Sequence, residues 1–181
     1  GGVELFFQSI ESYHDNSALV TSSFNMIEQR IKDLDDETIV RKIADVGGIP
    51  VIIKSIKTHP TKVKLQVTIF VIIGLLILEG DDTKYAAELT SAVLECMFKH
   101  TNNKNLQIQG CDALFELSQH ASSHVILKEL RTKELLYRNK SLYENCVSDV
   151  KDLFANLNGT YTKKNKTSTS SNKKQRYKTK Y

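Results

Sequence analysis

The sequence Gly-Gly-Val-Glu-Leu-Phe-Phe-Gln-Ser-Ile at residues 1–10 returns 46 residues later as Gly-Gly-Ile-Pro-Val-Ile-Ile-Lys-Ser-Ile at residues 47–56. The match continues without a gap to Ile27 and Ile73. A third copy follows 41 residues later, where Leu-Gln-Val at 65–67 becomes Leu-Gln-Ile at 106–108, and a weaker fourth copy runs through 139–157. Because a fixed period of this length is the signature of repeat architectures, the sequence predicts four stacked units, at roughly 1–46, 47–87, 88–123 and 124–157.

The apolar spacing within the units is helical, and no useful length of strand alternation occurs, so the predicted fold class is all-α. One stripe consists of Val93, Leu94, Met97 and Phe98, and another of Cys111, Leu114, Phe115 and Leu117. Two helices per unit are predicted, with a shorter third helix between units. Asp36 is placed to cap a helix over 37–46, Gly47 to end it in the left-handed conformation, and Asp82 to cap a helix that begins at Thr83.

The Gly-Gly-Ile-Pro of residues 47–50 and the segment Asn-Leu-Gln-Ile-Gln-Gly-Cys-Asp-Ala-Leu-Phe-Glu-Leu-Ser of residues 105–118, together with the period, resemble the armadillo repeat family. The resemblance covers residues 1–157, and HEAT repeats are the near alternative. It implies an armadillo-type α-α superhelix, a right-handed solenoid whose third helices line a concave groove. Since one unit cannot bury its own apolar face, each unit is expected to stack on the next.

Armadillo proteins that bind extended peptides carry a Trp, and an Asn four residues later, on each third helix. The resemblance places these two positions at Asn25 and Gln29, Val71 and Leu75, Asp112 and Glu116, and Asp152 and Asn156. Only Asn156 matches the pattern, which argues against binding of the nuclear-import-receptor type.

The same positions, joined by Asp149, instead predict a surface that is acidic with an apolar part, suited to a basic and partly apolar peptide. Two plainer interpretations stay open: Asp112 and its neighbours as solvated helix positions, and Val71 and Leu75 as core residues. The predicted function is a non-catalytic protein-protein interaction scaffold that binds a partner segment on the concave face.

Residues 158–181 contain eight of the 25 Lys and Arg residues and none of the 21 acidic ones, so the preceding body is acidic. The tail is predicted to be disordered, since it has too little apolar surface to offset its ordering entropy. Its basic positions of interest are Lys163, Lys164, Lys173, Lys174 and Arg176. They suggest the alternative function, binding of an anionic partner such as nucleic acid or the cytoskeleton, or else a fold-back in cis onto the acidic groove.

Composition and motifs favour a non-enzymatic, cytoplasmic protein with no cofactor, or a nuclear one if the tail acts as an import signal. The twelve-residue apolar run Val67–Leu78 is too short for a membrane span and predicts a buried helix. The three cysteines, Cys96, Cys111 and Cys146, lie on apolar stripes and are predicted to be core residues. His120 and His124 have a metal-ligand spacing, but the residues between them are predicted to form a loop.

The first unit begins without a polar cap, so Leu5, Phe6 and Phe7 are expected to be exposed. Either further repeats of a longer chain or a second subunit is expected to cover them.

Overall fold

A computed structural model describes residues 2–34, 37–79 and 83–129, and Ala155. These residues form helices joined by short turns, and no strand occurs among them, which confirms the all-α prediction. Several predicted features lie outside the described residues, namely the caps Asp36 and Asp82, the core residue Cys146, the site residues Asp149, Asp152 and Asn156, and the tail 158–181.

Eight α-helices make up the described part of the chain. They are α1 (Gly2–Ser12), α2 (Ser17–Leu34), α3 (Glu37–Asp45), α4 (Gly48–Thr58), α5 (Val63–Glu79), α6 (Ala86–Lys99), α7 (Lys104–Leu117) and α8 (Ala121–Glu129). The helix predicted to begin at Thr83 starts as a 3₁₀ turn, Thr83–Tyr85, and continues as α6. The loop predicted at residues 121–123 is wrong, because these residues form the first turn of α8.

The helices pack in two rows that follow the sequence period. In the first row α1 contacts α4, and α4 contacts α6; in the second row α2 contacts α5, and α5 contacts α7. The two rows also contact each other within each unit, most clearly through α1 with α2 and α6 with α7. Each of these six helices therefore lies against its own equivalent from the neighbouring unit.

Helix α5 occupies the centre of the second row and is apolar on all sides. Every residue from Leu65 to Ile77 is buried except Val67, which is half-buried, and this confirms the predicted buried helix. Since α5 contacts α2, α3, α4 and α7, packing on several sides accounts for a helix without a polar face. No helix in the described ranges has both the length and the apolar character needed to cross a membrane.

Two aromatic positions differ from the sequence prediction. Phe7 is buried, not exposed, because its ring packs edge-on against Phe24 of α2, with ring centroids 6.3 Å apart. Phe98, assigned to the buried stripe, is exposed at the margin of that stripe in the last turn of α6. Leu5 is exposed as expected, and Phe6 is half-buried.

The junction between α3 and α4 depends on two adjacent glycines. Gly47 has a φ of 72°, the left-handed conformation predicted for it, and its N–H bonds the carbonyl of Ala44 at 3.0 Å. Gly48 instead allows Ile43 and Phe7 to pack closely against the backbone of α4. A Cβ at this position would lie 2.7 Å from the Ile43 carbonyl oxygen and 2.8 Å from Phe7 Cζ. Pro50 falls in the first turn of α4, as predicted.

In two successive units, a buried glutamine donates hydrogen bonds to the C-terminal end of the first-row helix. Gln66 Nε2 donates to the carbonyl oxygens of Ile56 at 3.2 Å and His59 at 2.8 Å. Gln107, 41 residues later, makes the same two bonds, to a carbonyl in the last turn of α6 and to the C-cap carbonyl, at 2.8 and 3.0 Å. These bonds give a further donor to carbonyls at the C-terminal ends of α4 and α6, where the regular helical bonds stop. The His59 and His100 carbonyls also accept the backbone N–H of Lys62 and Asn103, at 3.1 and 3.0 Å.

A histidine after each of these helices bonds to the preceding unit. His59 Nε2 donates to the carbonyl of His14 at 2.7 Å, and His100 Nε2 donates to the carbonyl of Pro60 at 2.6 Å. A carbonyl oxygen can only accept, so Nε2 bears the proton in both rings. The sequence period is therefore reproduced in hydrogen bonds that join neighbouring units.

The second-row helices differ in their N-caps. The Asn16 side chain accepts from the Leu19 N–H at 3.2 Å, and the Asn103 side chain accepts from the Leu106 N–H at 3.0 Å. Lys62 occupies the equivalent position before α5, since its carbonyl accepts the first helical bond, from Gln66 N, at 3.0 Å. A lysine cannot accept a bond from a backbone N–H, so α5 begins without this cap.

Replacing Lys62 with asparagine is expected to raise the free energy of unfolding by about 1 kcal/mol, because the amide oxygen restores the cap found in the other two units. Urea unfolding monitored by circular dichroism measures the change. Asn103→Ala is the matched control and is expected to lower stability by about the same amount. If both substitutions left the urea midpoint unchanged, the repeated cap would have no energetic role.

The predicted core cysteines are confirmed where described: Cys96 and Cys111 are both buried free thiols. Burial raises the pKa of the Cys96 thiol from its ordinary value of 9.0 to about 12. Because the folded chain keeps this proton where the unfolded chain loses it, the Cys96 contribution to stability declines as the pH rises from 9.0 towards about 12.

Alkylation of Cys96 by iodoacetamide at pH 8 is expected to be about a thousand-fold slower in the native chain than in urea, because the thiolate is the reactive form and its fraction falls with the raised pKa. Mass spectrometry of the peptide that contains Cys96 measures the rate. Equal rates in the two conditions would contradict a buried, protonated thiol.

Candidate functional site

The predicted partner-binding pairs lie on three helices of one row. Asn25 and Gln29 are on α2, Val71 and Leu75 on α5, and Asp112 and Glu116 on α7. Their exposure differs strongly along the row. Asn25 and Gln29 are exposed and Asp112 is half-buried, whereas Val71, Leu75 and Glu116 are 2%, 5% and 5% exposed.

The expectation of one exposed strip along these helices is therefore corrected. Val71 and Leu75 pack with Ile31 of α2 in a small apolar cluster of their own, consistent with the core interpretation. Glu116 also lies in the interior, although the sequence pattern places it on the same helical face as Asp112. The reason is that neighbouring parts of the protein cover α5 and α7 on most sides. An amphipathic surface helix, in contrast, keeps one face in solvent.

The exposed part of the predicted surface is on α2. Ser22, Asn25, Met26 and Gln29 are all exposed and share one side of the helix, since they are three and four residues apart. We call these four residues the α2 face. Met26 is 53% exposed, an unusual exposure for an apolar side chain and one that sequence reasoning missed.

The amide of Asn25 is oriented by α5. Thr68 Oγ1 donates to Asn25 Oδ1 at 3.0 Å, and Thr68 is itself buried. Asn25 Nδ2 has no hydrogen-bond partner among the described residues, and it extends from the opposite side of the amide. The α2 face thus presents a positioned N–H donor next to an exposed thioether.

The side of α2 next to this face is held by an ion pair. Lys32 Nζ lies 2.6 Å from Glu28 Oε1, and both side chains are largely buried. A pair four residues apart supports the helix by a few tenths of a kcal/mol, about 0.3. The ion pair therefore lies within α2 itself and adds modestly to the stability of the helix that carries the α2 face.

A second surface lies at the turns that join the two rows. Lysines stand at both ends of the α4–α5 and α6–α7 turns, and residues 57–64 and 99–104 contain no acidic side chain. We call Lys57, Lys62, Lys64, Lys99 and Lys104 the basic edge. Lys57 pairs with Glu88 at 3.0 Å. Beside the α6–α7 turn is a shallow concavity of about 310 Å³, lined by Val63, Lys99, His100, Thr101, Asn102 and Asn103.

Among the residues that the structure describes, no three His, Cys, Asp or Glu side chains lie close enough together to hold a metal ion. His124 Nε2 donates to the Ser118 carbonyl at 2.8 Å and so closes the turn before α8. This bond explains a histidine at this position without a ligand.

Comparison with protein-family models, curated proteins and solved structures finds no match to this chain. Sequence reasoning missed Met26 and Thr68, whose importance depends on which side of α2 faces α5.

Proposed function

We propose that this chain is an armadillo-type interaction scaffold that binds a segment of another protein along its second row, beginning at the α2 face. The single observation on which the proposal depends is the positioned Asn25 amide beside exposed Met26. A fixed donor loses little conformational entropy on binding, so it favours recognition of a peptide backbone.

The chemistry of the α2 face indicates the partner. Asn25 Nδ2 can donate to a backbone carbonyl of an extended segment, and Met26 offers an adaptable apolar contact for one of its side chains. The acidic balance of residues 1–157 favours a segment with basic side chains. Asp149, Asp152 and Asn156 remain predicted extensions of this surface in the fourth unit.

Photo-crosslinking tests the proposal directly. A benzophenone amino acid at Met26 is expected to capture a partner from lysate, and sequencing of the crosslinked peptide identifies the bound segment. A synthetic copy of that segment is then titrated against the full chain, where Asn25→Ala is expected to weaken binding about ten-fold.

The matched control places the same crosslinker at Lys54, an exposed position on α4 in the first row. Capture of the same peptide from both positions would indicate non-specific contact and contradict the proposal. An unchanged affinity in Asn25→Ala would likewise remove the α2 face as the binding site.

The basic edge favours a second candidate function, binding of an anionic partner such as nucleic acid or the acidic surface of a cytoskeletal filament. The edge would act together with the basic tail 158–181, including Lys163, Lys164 and Arg176. Binding of this kind weakens steeply with salt, whereas apolar contacts at the α2 face do not.

A filter-binding assay with a single-stranded oligonucleotide separates the contributions of edge and tail. Replacing Lys62, Lys64, Lys99 and Lys104 with glutamine is expected to weaken binding at low salt and to flatten its salt dependence. Loss of binding only when residues 158–181 are deleted would assign the affinity to the tail alone.

A further inference from the structure

The first two units match in sequence from residue 1, yet their leading helices differ in exposure. Leu5 is 65% exposed, whereas its equivalent in the second unit, Val51, is 5% exposed. Val3 is half-buried where Ile49 is buried. The first unit therefore has apolar side chains at positions that the second unit covers. We call Gly2, Val3, Leu5 and Phe6 the N-terminal face.

The glycines show what covers these positions in the second unit. A Cβ on Gly48 would meet Ile43 of α3 and Phe7 of α1, whereas a Cβ on Gly2 would meet nothing within 4 Å. Position 2 therefore carries a glycine, like the crowded equivalent position 48, although no neighbouring atom crowds it. In the second unit the crowding comes from a short helix before the glycines and from the preceding unit.

Helix α3 defines the chemistry of that covering helix. It is a nine-residue helix. Its buried side chains, Ile39, Val40 and Ile43, form one stripe. It contacts α1 and α2 of its own unit and also α4 and α5 of the following unit. A helix of this pattern placed ahead of Gly1 would meet α1 and α2 as α3 meets α4 and α5.

We propose that the N-terminal face is a docking surface for a short amphipathic helix of the α3 type, with Ile or Val at positions i, i+1 and i+4, that packs against α1 and α2 as α3 packs against α4 and α5. The inference is independent of the α2 face and of the proposed partner segment. It assigns a function to exposed Leu5, which no described residue covers.

A graft tests the proposal on the full chain. A copy of residues 35–46 is added directly before Gly1, which reproduces the native junction between Val46 and the glycine pair. Thermal unfolding is expected to shift upward by about 4 °C, and amide exchange at Leu5 and Phe6 to slow about ten-fold. The control graft has serine at the positions copied from Ile39, Val40 and Ile43, and it is expected to produce neither change.

Two point variants distinguish docking from a general effect of added chain. Leu5→Asp is expected to leave the ungrafted chain unchanged and to abolish the gain of the apolar graft. Gly2→Ala is expected to be harmless without the graft and to lower the unfolding temperature with it, because Gly2 then becomes crowded like Gly48.

Equal behaviour of the apolar and serine grafts would overturn the proposal. So would self-association of the ungrafted chain in sedimentation that Leu5→Asp abolishes, since the face would then bind a second copy and not an α3-type helix.

Discussion

Replacing Gly48 with alanine is expected to lower the free energy of unfolding by about 3 kcal/mol, because the added methyl group overpacks a closed interior. Its Cβ would lie 2.7 Å from both the carbonyl oxygen and Cγ2 of Ile43, and 2.8 Å from Phe7 Cζ. The first of these atoms belongs to the backbone, so the clash cannot be relieved by a side-chain rotation. Urea unfolding of the two chains measures the difference.

Gly2→Ala is the matched control, since the same substitution at the equivalent position meets nothing within 4 Å. It is expected to leave stability unchanged or to raise it by up to about 0.5 kcal/mol, because alanine is the better helix former. Equal costs at the two glycines would mean that helix propensity, and not the close approach at Gly48, determines the effect.

Replacing Gln107 with methionine, which has a similar length and shape, is expected to cost about 2–3 kcal/mol. The substitution removes the Nε2 donor to the Met97 carbonyl at 2.8 Å and to the His100 carbonyl at 3.0 Å, so two hydrogen bonds of about 1 kcal/mol each are lost. Both acceptors then lose their bond from Nε2 and keep a backbone donor, His100 N–H at 3.2 Å for Met97 and Asn103 N–H at 3.0 Å for His100. The change is measured as a loss in the free energy of urea unfolding, and Gln66→Met is expected to behave in the same way.

Gln109, on the same helix, provides a control for which the same substitution is expected to change stability in the opposite direction. It is fully buried, and neither its Nε2 nor its Oε1 atom has a hydrogen-bond partner in the part of the chain that the structure describes. Gln109→Met is therefore expected to stabilise the chain by about 1 kcal/mol, because a buried polar group without partners is replaced by an apolar one. Destabilisation by both methionine substitutions to the same extent would show that side-chain shape, and not hydrogen bonding, sets the stability.

The elements that the sequence predicts well are those that depend on local chemistry. The helical character of the units and the left-handed Gly47 follow from residue type and spacing, and the structure confirms both. The boundaries of the four repeats stay predictions, and Phe98 of the predicted stripe is exposed. The start of α8 was missed because Ala-Ser-Ser at 121–123 resembles a polar loop. The His124 bond to the Ser118 carbonyl closes the preceding turn and lets the helix begin there.

The candidate site was harder to predict because exposure depends on neighbouring helices. Gln29 and Glu116 occupy equivalent positions in the predicted series, yet the first is exposed and the second is buried. A periodic pattern indicates which residues share a face, but only packing decides whether that face meets solvent. Met26 and the basic edge were missed for the same reason.

The histidine bonds between units have a consequence for how the chain responds to tension. His59 bonds the His14 carbonyl and His100 bonds the Pro60 carbonyl, so the two bonds lie one after the other along the chain. A force applied to the two ends would load them in series, and each would resist sliding of one unit along the next. Rupture at one interface would leave the other intact, so stretching should proceed in discrete steps of one unit each.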